Sequence, residues 1–522
     1  MKTKKILSFV IVLALLVGTL AGCSGTTQSS DSTGTSESGS TSSKRDDVIV
    51  RVEQVFYNLN PYVGSVGYPN LYVMDQTYEP LTRVDDNSKI NPLLATDWTV
   101  SDDASVYTFN IRKDVKFHNG ETLKASDVVF SYKTAMESPA MNGYVGNVES
   151  VEAVDDYTVK IKLSKPSVSF LSFTSEVYIV NEKFYKEVEG NLMEQMCGTG
   201  PYKQVAVDLT TEIELEAFAD YWGGEASIKH VYMRPVTDAT TAVVSFETGE
   251  IDYMQVNNIS AFGPLADSKK YNTDLVTTLH TAYIAMNNKV PPFDNKLVRQ
   301  ALMYAMDTET MIQVAYEGYA EPARMMADER CVGVDFSDCT KYTYDLEKAK
   351  ALLAEAGYTN GIDFEKDFSV RMDIIAGGYF EKIAQIFQES LNQIGCKLNL
   401  RASETYSSDA ATGKYSIITQ GMTFTADFGY LSMLYGTVGI NSKNHARFSN
   451  ARVDELFKLA DSELDPAVRN TYYKEICEIV TDECPTLVCF HRKIPYAWSK
   501  DLKAVPHAAA PHPYYIYEWS WN

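Results

Sequence analysis

Apolar and polar side chains alternate in several short stretches of the first half of the chain. Residues 107–112, which read YTFNIR, switch between apolar and polar at every step. In residues 157–163, Val159, Ile161 and Leu163 fall on one face. Alternation with a period of two is typical of a strand that is buried on one side. The first half is therefore predicted to be rich in half-buried strands.

Amphipathic helices with recognisable ends occupy more of the second half. One helix is predicted to begin after the capping residue Asp345 and to stop at Gly357. A second ends at Gly395 and leads into the strand-like run KLNL, and a third opens with Pro466 after Asp465. Their apolar stripes are Leu346, Ala349 and Leu353; Ile383, Phe387, Leu391 and Ile394; and Val468, Tyr472, Ile476 and Ile479. Helix, glycine and strand in succession favour an α/β fold.

Length and composition indicate a soluble protein of several domains. At 522 residues the chain exceeds what one hydrophobic core organises, so about two to four domains are expected. Hydrophobic residues make up 45% and charged residues 22%, as in ordinary globular proteins. The formal net charge of −22 makes nucleic acid and anionic lipid surfaces poor partners. Most of this acidity is expected to serve solubility, with a mild bias toward cationic ligands.

Residues 1–22 have the three-part layout of a secretory signal peptide. Lysines stand near the start, residues 6–20 form an apolar run, and two small residues follow. The run is too short for a stable transmembrane helix. Residues 20–23 read LAGC and resemble the lipobox of bacterial lipoproteins, which implies that Cys23 is lipid-modified and begins the mature chain. Cleavage of an ordinary signal peptide nearby is the alternative.

Residues 23–45 are predicted to tether the folded part to this lipid. Positions 24–43 hold only Ser, Thr, Gly, Gln, Asp and Glu, so no apolar side chain is available for burial. A flexible chain of about twenty such residues spans roughly 25 Å on average. The folded part is therefore expected to stay close to a membrane.

The sequence contains no local motif for catalysis or metal binding. It has no G-x-S-x-G, H-E-x-x-H, Walker A or C-x-x-C pattern. We therefore predict no enzyme activity, metal site or cofactor, although a site assembled from distant residues would leave no local motif. Aromatic residues make up 12%, which suits a cleft that holds organic ligands through contact area.

Seven cysteines follow Cys23, an odd number that leaves at least one thiol unpaired within the chain. Cys331 and Cys339 flank a short, turn-like stretch and are a candidate disulfide in an oxidising compartment. The spacing alone leaves the pairing open.

Residues 107–133, YTFNIRKDVKFHNGETLKASDVVFSYK, resemble the signature region of the family 5 extracellular solute-binding proteins, the peptide and nickel importer group. Within this region His118 is expected to shape a turn and not to act in catalysis. Flanking segments match in order: YEPL at 78–81, NPLLATDW at 91–98, GTGPYK at 198–203, SFETGEID at 245–252, MNNKVPPFDNKLVRQALMYAMD at 286–307 and FSNARVDELF at 448–457. The resemblance covers essentially everything from residue 46 onward.

The resemblance implies an α/β, periplasmic-binding-protein-like type II fold, with two α/β lobes joined by a hinge and an extra, smaller lobe. The implied lobes are a discontinuous lobe I at 46–78, 199–284 and 491–522, the extra lobe II at 79–198 and lobe III at 285–490. The hinge is placed near 283–287 and near 488–492. A ligand held between lobes favours the closed conformation, which a permease can distinguish from the open one.

The resemblance also implies a function. The chain is expected to be the substrate-binding lipoprotein of an ABC importer, a monomer on the outer face of the cytoplasmic membrane that contacts the membrane only through its lipid. Its partners would be a peptide ligand and the permease and ATPase subunits. The expected ligand-binding residues are Asp427, Phe424, Tyr430, Tyr57 and Tyr283.

Asp427 is assigned by a local match. Related peptide binders hold the ligand's ammonium group with an aspartate in a stretch like W-x-A-D, and residues 423–427 read TFTAD. This match places Asp427 on the ammonium group and Phe424 where the tryptophan would lie.

The ligand class is less sharply indicated. The dipeptide branch carries an arginine just before the helix that ends LNQIG, whereas residues 373–378 read DIIAGG, and Arg371 lies too early to be equivalent. We therefore expect oligopeptides ahead of dipeptides. Nickel chelates, oligosaccharides and a peptide-sensing receptor role are the alternatives, and an extracellular enzyme is the least favoured.

Overall fold

The computed structural model describes residues 45–522 apart from short gaps. The gaps are 64–67, 88, 193–194, 328–333, 335, 424–426, 441 and 508–513. Cys23, Phe424 and Cys331 lie outside the described residues, as do the predicted signal peptide and the tether up to residue 44. Within the described ranges, no helix combines the length and the apolar composition needed to cross a membrane.

Helices and strands are interspersed along the described chain. The strands are β1 (Asp47–Val52), β2 (Thr82–Val84), β3 (Ile90–Pro92), β4 (Ala95–Val100), β5 (Val106–Ile111), β6 (Val148–Asp155), β7 (Thr158–Leu163), β8 (Tyr202–Asp208), β9 (Glu212–Ala217), β10 (His230–Pro235), β11 (Tyr253–Gln255), β12 (Asn272–Met286), β13 (Ala320–Pro322), β14 (Met372–Ile374), β15 (Leu400–Ala402), β16 (Ile417–Thr423), β17 (Thr486–Trp498), β18 (Leu502–Lys503) and β19 (Ser520–Trp521). The helices are α1 (Tyr68–Thr77), α2 (Ala125–Glu137), α3 (Asn142–Val145), α4 (Phe170–Phe173), α5 (Glu182–Glu187), α6 (Ala239–Glu247), α7 (Ile259–Ser268), α8 (Lys296–Tyr304), α9 (Thr308–Thr310), α10 (Leu346–Glu355), α11 (Phe364–Phe368), α12 (Gly378–Gln393), α13 (Tyr406–Thr412), α14 (Ser432–Tyr435), α15 (Ala451–Ser462) and α16 (Pro466–Glu483).

One large mixed sheet carries most of these strands. Its order is β15-β14-β16-β12-β17-β11-β1-β10-β9-β8, and β13 also pairs with β17. In one half β1 runs parallel to β10 and β11, and in the other β14 runs parallel to β15 and β16. The antiparallel pair β12 and β17 stands between the halves. The sheet therefore consists of two α/β halves that share a central antiparallel pair.

The two segments predicted as a hinge, near 283–287 and 488–492, fall on β12 and β17 or at their ends. The pairing of these strands shifts register between Thr277 and Thr281, and again between Ala282 and Tyr283. Such irregularities bend a strand and interrupt its hydrogen-bond ladder. Hinge bending and the limits of the three lobes stay predictions.

Alternate residues of β12 enter two separate cores. Ala282, Ile284 and Met286 belong to one apolar cluster, together with residues of α8, α10 and α12. Tyr283 and Ala285 belong to another, together with residues of α15 and α16. Because successive strand residues point to opposite faces, both faces of this half of the sheet are covered. Helices on both faces of a sheet are the layering expected of an α/β lobe.

A separate antiparallel sheet contains four strands in the order β4-β5-β7-β6. The strands predicted from alternation are confirmed as β5 and β7. Val159, Ile161 and Leu163 are all buried, as the pattern predicted. The apolar core of this small sheet is continuous with the core around β1 and β10.

The three helices predicted from apolar stripes are confirmed as α10, α12 and α16. The stripe predicted for α16 is wrong at Val468, which is 38% exposed because the first turn of this helix lies at the surface. Its buried face consists of Tyr473, Ile476, Cys477, Val480 and Thr481. The strand predicted over the run KLNL starts late, since β15 begins only at Leu400, where pairing with Met372 begins.

Six cysteines are described, and all are buried thiols: Cys197, Cys339, Cys396, Cys477, Cys484 and Cys489. Because Cys331 lies outside the described residues, its pairing with Cys339 stays a prediction. The Cys339 thiol lies within hydrogen-bond reach of Cys477 on α16. The neighbouring backbone N–H of Thr340 donates to the Thr481 hydroxyl at 3.1 Å, which holds this loop against the helix.

Removing the cap of α10 should destabilise the fold. The Asp345 carboxylate accepts a hydrogen bond from the backbone N–H of Lys348 at 2.9 Å. We expect Asp345→Ala to lower the free energy of unfolding by about 1 kcal/mol, because the first turn loses its acceptor. Urea denaturation followed by circular dichroism measures the change. The control Glu347→Ala removes an exposed acid from the same turn and should change the free energy of unfolding by only about 0.3 kcal/mol. An equal loss of stability in both variants would contradict the capping role of Asp345.

Candidate functional site

The carboxyl ends of parallel strands are where ligands are expected in an α/β sheet. In one half of the large sheet β1 ends at Val52, and Glu53 follows directly. In the other half β16 ends at Thr423, and Asp427 follows beyond the undescribed residues 424–426. These ends therefore provide the starting points for locating a binding site.

The β1 end carries a buried acid and an exposed tyrosine. The hydroxyl of Tyr72 donates to one oxygen of Glu53 at 2.9 Å, and the other oxygen is buried without a hydrogen-bond partner among the described residues. Burial raises the pKa of Glu53. Tyr57 is 44% exposed, so its ring is accessible from solvent.

A polar cluster stands at the β16 end. His280 on β12 contacts the hydroxyl of Thr423 at 2.9 Å through Nδ1 and that of Tyr379 at 3.4 Å through Nε2. The Arg492 guanidinium donates to the Tyr316 hydroxyl at 2.8 Å and lies 5.3 Å from the centre of the Tyr379 ring. Burial, together with nearby positive charge, holds the pKa of His280 well below its usual range. The imidazole is therefore neutral and serves as a fixed support for the strand end.

Tyr283, one of the predicted ligand-binding residues, lies behind the site. It is only 1% exposed, and its hydroxyl bonds to Nδ1 of His445 at 2.7 Å. Burial raises the pKa of Tyr283 well above 10, so the tyrosine keeps its proton and donates it. Burial and the nearby Lys443 lower the pKa of His445 to about 4, so the imidazole is a neutral acceptor. Tyr283 therefore lies in the core, and its role as a ligand-binding residue stays a prediction.

Asp427 joins two distant parts of the chain. One carboxylate oxygen accepts the backbone N–H of Gly429 at 2.6 Å and the Ser169 hydroxyl at 3.3 Å, and the other accepts the Ser172 hydroxyl at 2.9 Å. The first contact caps the short helix Phe428–Leu431. Ser172 lies on α4 and Ser169 directly precedes it, in the segment that follows the four-stranded sheet in sequence. The sequence predicted a carboxylate here, but not these serine partners.

A second carboxylate on the same side repeats the arrangement. Asp461 accepts the Ser167 hydroxyl at 2.8 Å and the backbone N–H of Ser169 at 3.3 Å, and its backbone carbonyl accepts the N–H of Val168 at 2.7 Å. Burial raises the pKa of Asp461, and the charge of Asp427 adds to the shift. We call the contacts of residues 167–172 with Asp427 and Asp461 the serine seam.

A cleft of about 1020 Å³ opens beside the serine seam. One wall comes from residues 140–173 and the other from residues 429–461. Its aromatic and apolar lining consists of Tyr144, Phe173, Tyr430, Met433, Val438 and Phe457. This volume lies at the upper end of ordinary small-molecule sites, which reach roughly 1,000 Å³. The cleft can therefore enclose an organic ligand that contacts both parts of the chain.

The predicted site residues are thus only partly brought together. Tyr430 lines the cleft and Asp427 lies in the adjoining serine seam, but neither Asp427 nor Tyr57 is among the residues that line the cleft. The cleft also uses Tyr144 and Phe173, which the sequence did not single out. They sit on short helices whose sequences carry no motif, so only the packing of distant segments reveals them.

Comparison with known proteins identifies the family. The model of the bacterial extracellular solute-binding proteins, family 5 (middle region), matches residues 89–442. The chain belongs to the family 5 solute-binding proteins. Its predicted fold class is confirmed as well, since its structural neighbours are type II periplasmic binding proteins. Members of the family are extracytoplasmic binding proteins that work with ABC permeases.

Relatives of this family 5 protein bind different solutes. It is 30% identical to heme-binding protein A of Haemophilus influenzae over 519 residues, covering 92% of this chain and 93% of the relative. It is 29% identical to the glutathione-binding protein GsiB of Shigella dysenteriae, covering 87% and 91%. The solved structure of HbpA2 from Haemophilus parasuis superposes with a TM-score of 0.80 at 26% identity, covering 91% of this chain and all of that one. These relatives are solute-binding proteins and not enzymes.

The buried pair of Tyr283 and His445 should make this family 5 protein sensitive to acid. The pKa of His445 is about 4 in the folded chain, below the unfolded value of about 6.5. The contribution of neutral His445 to the stability of the folded protein is therefore complete above about pH 6.5 and is lost as the pH falls toward 4. We expect His445→Asn, which keeps an acceptor for Tyr283 but cannot titrate, to flatten part of this loss in urea denaturation series between about pH 7 and pH 4.

A second histidine gives a control of opposite sign. Although burial opposes it, the carboxylates of Asp86 and Glu518 raise the pKa of His507 to about 9. Its stabilisation is complete below about pH 6.5 and is lost as the pH rises through 9. His507→Asn should therefore lower the free energy of unfolding near pH 6 and lower it much less above pH 9.

A His445→Asn variant whose stability fell with acid as in the unmodified protein would contradict the role of the Tyr283–His445 pair.

Proposed function

We propose that this chain is the substrate-binding lipoprotein of an ABC importer and that it captures oligopeptides. The observation that carries the proposal is the cleft of about 1020 Å³ beside Asp427, with walls from two separate parts of the chain. A ligand in such a cleft contacts both walls only when they are close. Its binding energy therefore favours the closed conformation, which the permease can recognise.

The chemistry of the cleft suits a peptide. Rings of Tyr144, Phe173 and Tyr430 offer contact area to varied side chains without demanding a particular one. A carboxylate has about four acceptor sites, and Asp427 uses three of them on Gly429, Ser169 and Ser172. One site is left for a ligand's ammonium group. Asp427 would then take part both in lobe closure, through the serine seam, and in capture of the ligand.

The relatives support a ligand of this size. Glutathione is itself a tripeptide, and the glutathione-binding relative aligns over 87% of this chain. The heme-binding relative aligns over 92% of this chain, and the ligand in its name is a larger organic molecule. We therefore propose oligopeptides first and treat dipeptides, nickel chelates and oligosaccharides as competitors.

Asp427→Asn should weaken peptide binding roughly ten- to a hundredfold, because a buried, charged hydrogen bond to the ammonium group is lost. The mature chain is first screened by thermal shift against peptides of two to eight residues, glutathione, nickel–histidine and maltotriose. Isothermal titration calorimetry with the peptide that gives the largest shift then measures the dissociation constant. Asp267→Asn, which removes an exposed acid from α7 outside the cleft, should leave that constant unchanged.

Two outcomes would count against the proposal. If maltotriose or nickel–histidine alone raised the melting temperature, the peptide assignment would fail. If Asp427→Asn bound the peptide as tightly as the unmodified protein, Asp427 would be a capping residue only.

We also propose that the chain is anchored by a lipid on Cys23 and carried on the tether of residues 23–45. Cys23→Ala should release the protein from the membrane into the soluble fraction, because the thiol that would carry the lipid is removed. Cell fractionation with immunoblotting measures the distribution, and Ser24→Ala serves as the control. Retention of the Cys23→Ala protein in the detergent-extractable membrane fraction would contradict a lipid anchor at Cys23.

A further inference from the structure

The cleft differs in charge from the chain that surrounds it. The whole chain has 69 acidic and 47 basic residues, yet the cleft is lined by three lysines and two aspartates. Lys165 lies on the wall formed by residues 140–173, and Lys443 and Lys458 lie on the opposite wall. Basic side chains from two distant segments therefore face one space in an otherwise acidic protein.

The two aspartates of the cleft are already occupied by the protein. Asp454 accepts the backbone N–H of Thr437 at 2.7 Å and its hydroxyl at 2.6 Å. Asp461 accepts Ser167 and Ser169 in the serine seam. Both carboxylates thus have fixed orientations toward hydroxyl and amide donors and do not neutralise a lysine.

The three lysines have no such partners. Among the described residues, no ion pair or hydrogen bond from the ammonium groups of Lys165, Lys443 or Lys458 is present, and all three side chains are exposed. Some lysines elsewhere pair with acids, as Lys162 does with Glu149 at 2.8 Å. Lysine is a compact charge on a flexible stem, so these ammonium groups can meet on a ligand between them.

We propose that this cleft selects peptides that carry several carboxylates, with Lys165, Lys443 and Lys458 receiving those groups. The inference rests on the proposed peptide-binding function and names its ligand class. A peptide with an ammonium group at one end and acidic groups along its length matches Asp427 on one side and the lysines on the other.

The test compares two peptides that differ only in charge. Ala-Glu-Ala-Glu and Ala-Gln-Ala-Gln have the same length, termini and nearly the same shape, and each is titrated into the mature chain by calorimetry. An exposed lysine–carboxylate pair changes affinity a few-fold, so the two additional carboxylates of the glutamate peptide should favour it by about tenfold. Because such pairs are screened by salt, the preference should shrink as ionic strength rises from about 0.05 M to about 0.5 M.

A matched pair of variants separates the cleft from overall charge. The triple change Lys165→Gln, Lys443→Gln and Lys458→Gln should remove most of the preference and leave binding of the glutamine peptide within about twofold. The control triple Lys341→Gln, Lys366→Gln and Lys500→Gln removes the same charge from exposed lysines outside the cleft and should keep the preference. Melting temperatures establish that both proteins are folded.

Each failure has a separate meaning. If both peptides bind equally to the unmodified protein, the charge selection is overturned while peptide capture stands. An equal loss of preference in both triple variants overturns it too, since the effect then belongs to net charge. If neither peptide binds and no other peptide raises the melting temperature, both the proposed peptide-binding function and this inference are overturned.

Discussion

The pairing of β12 with β17 is the interaction on which the rest of the structure depends. These two long strands run antiparallel through the centre of the large sheet, from Asn272 opposite Trp498 to Ala285 opposite Thr486. They connect the half built on β1, β10 and β11 to the half built on β14, β15 and β16. Because a strand sends alternate residues to opposite faces, β12 also supplies both cores of the second half. One pair of strands thus joins the halves and anchors their packing, while its register shifts provide places where the ladder is weak.

The serine seam has different energetics from these cores. Its contacts are hydrogen bonds from hydroxyl and amide groups of residues 167–172 to Asp427 and Asp461. Water can replace such partners at small net cost, whereas separation of an apolar core exposes surface at about 25 cal/mol per Å². The seam therefore suits a contact that forms and breaks. In the proposed lobe closure, a modest amount of ligand binding energy would then favour the closed form.

The cleft combines a general with a selective surface. Its aromatic and methionine side chains offer contact area that suits many ligand side chains. The proposed lysine contacts would add a choice among ligands, since an electrostatic preference discriminates among molecules of the same size. An acidic surface elsewhere on the chain keeps the protein soluble without contributing to this choice.

The sequence by itself determined the local elements and the family. The alternation at β5 and β7, the cap at Asp345 and the start of α16 at Pro466 follow from interactions between residues a few positions apart, which a linear pattern records. Only the tertiary structure decided that Asp427 meets Ser169 and Ser172, that Tyr283 lies in the core, and that Val468 lies at the surface. Those outcomes depend on which distant segments the central strand pair brings together. No periodicity within one segment contains that information, because each segment is compatible with many partners until the cores have formed.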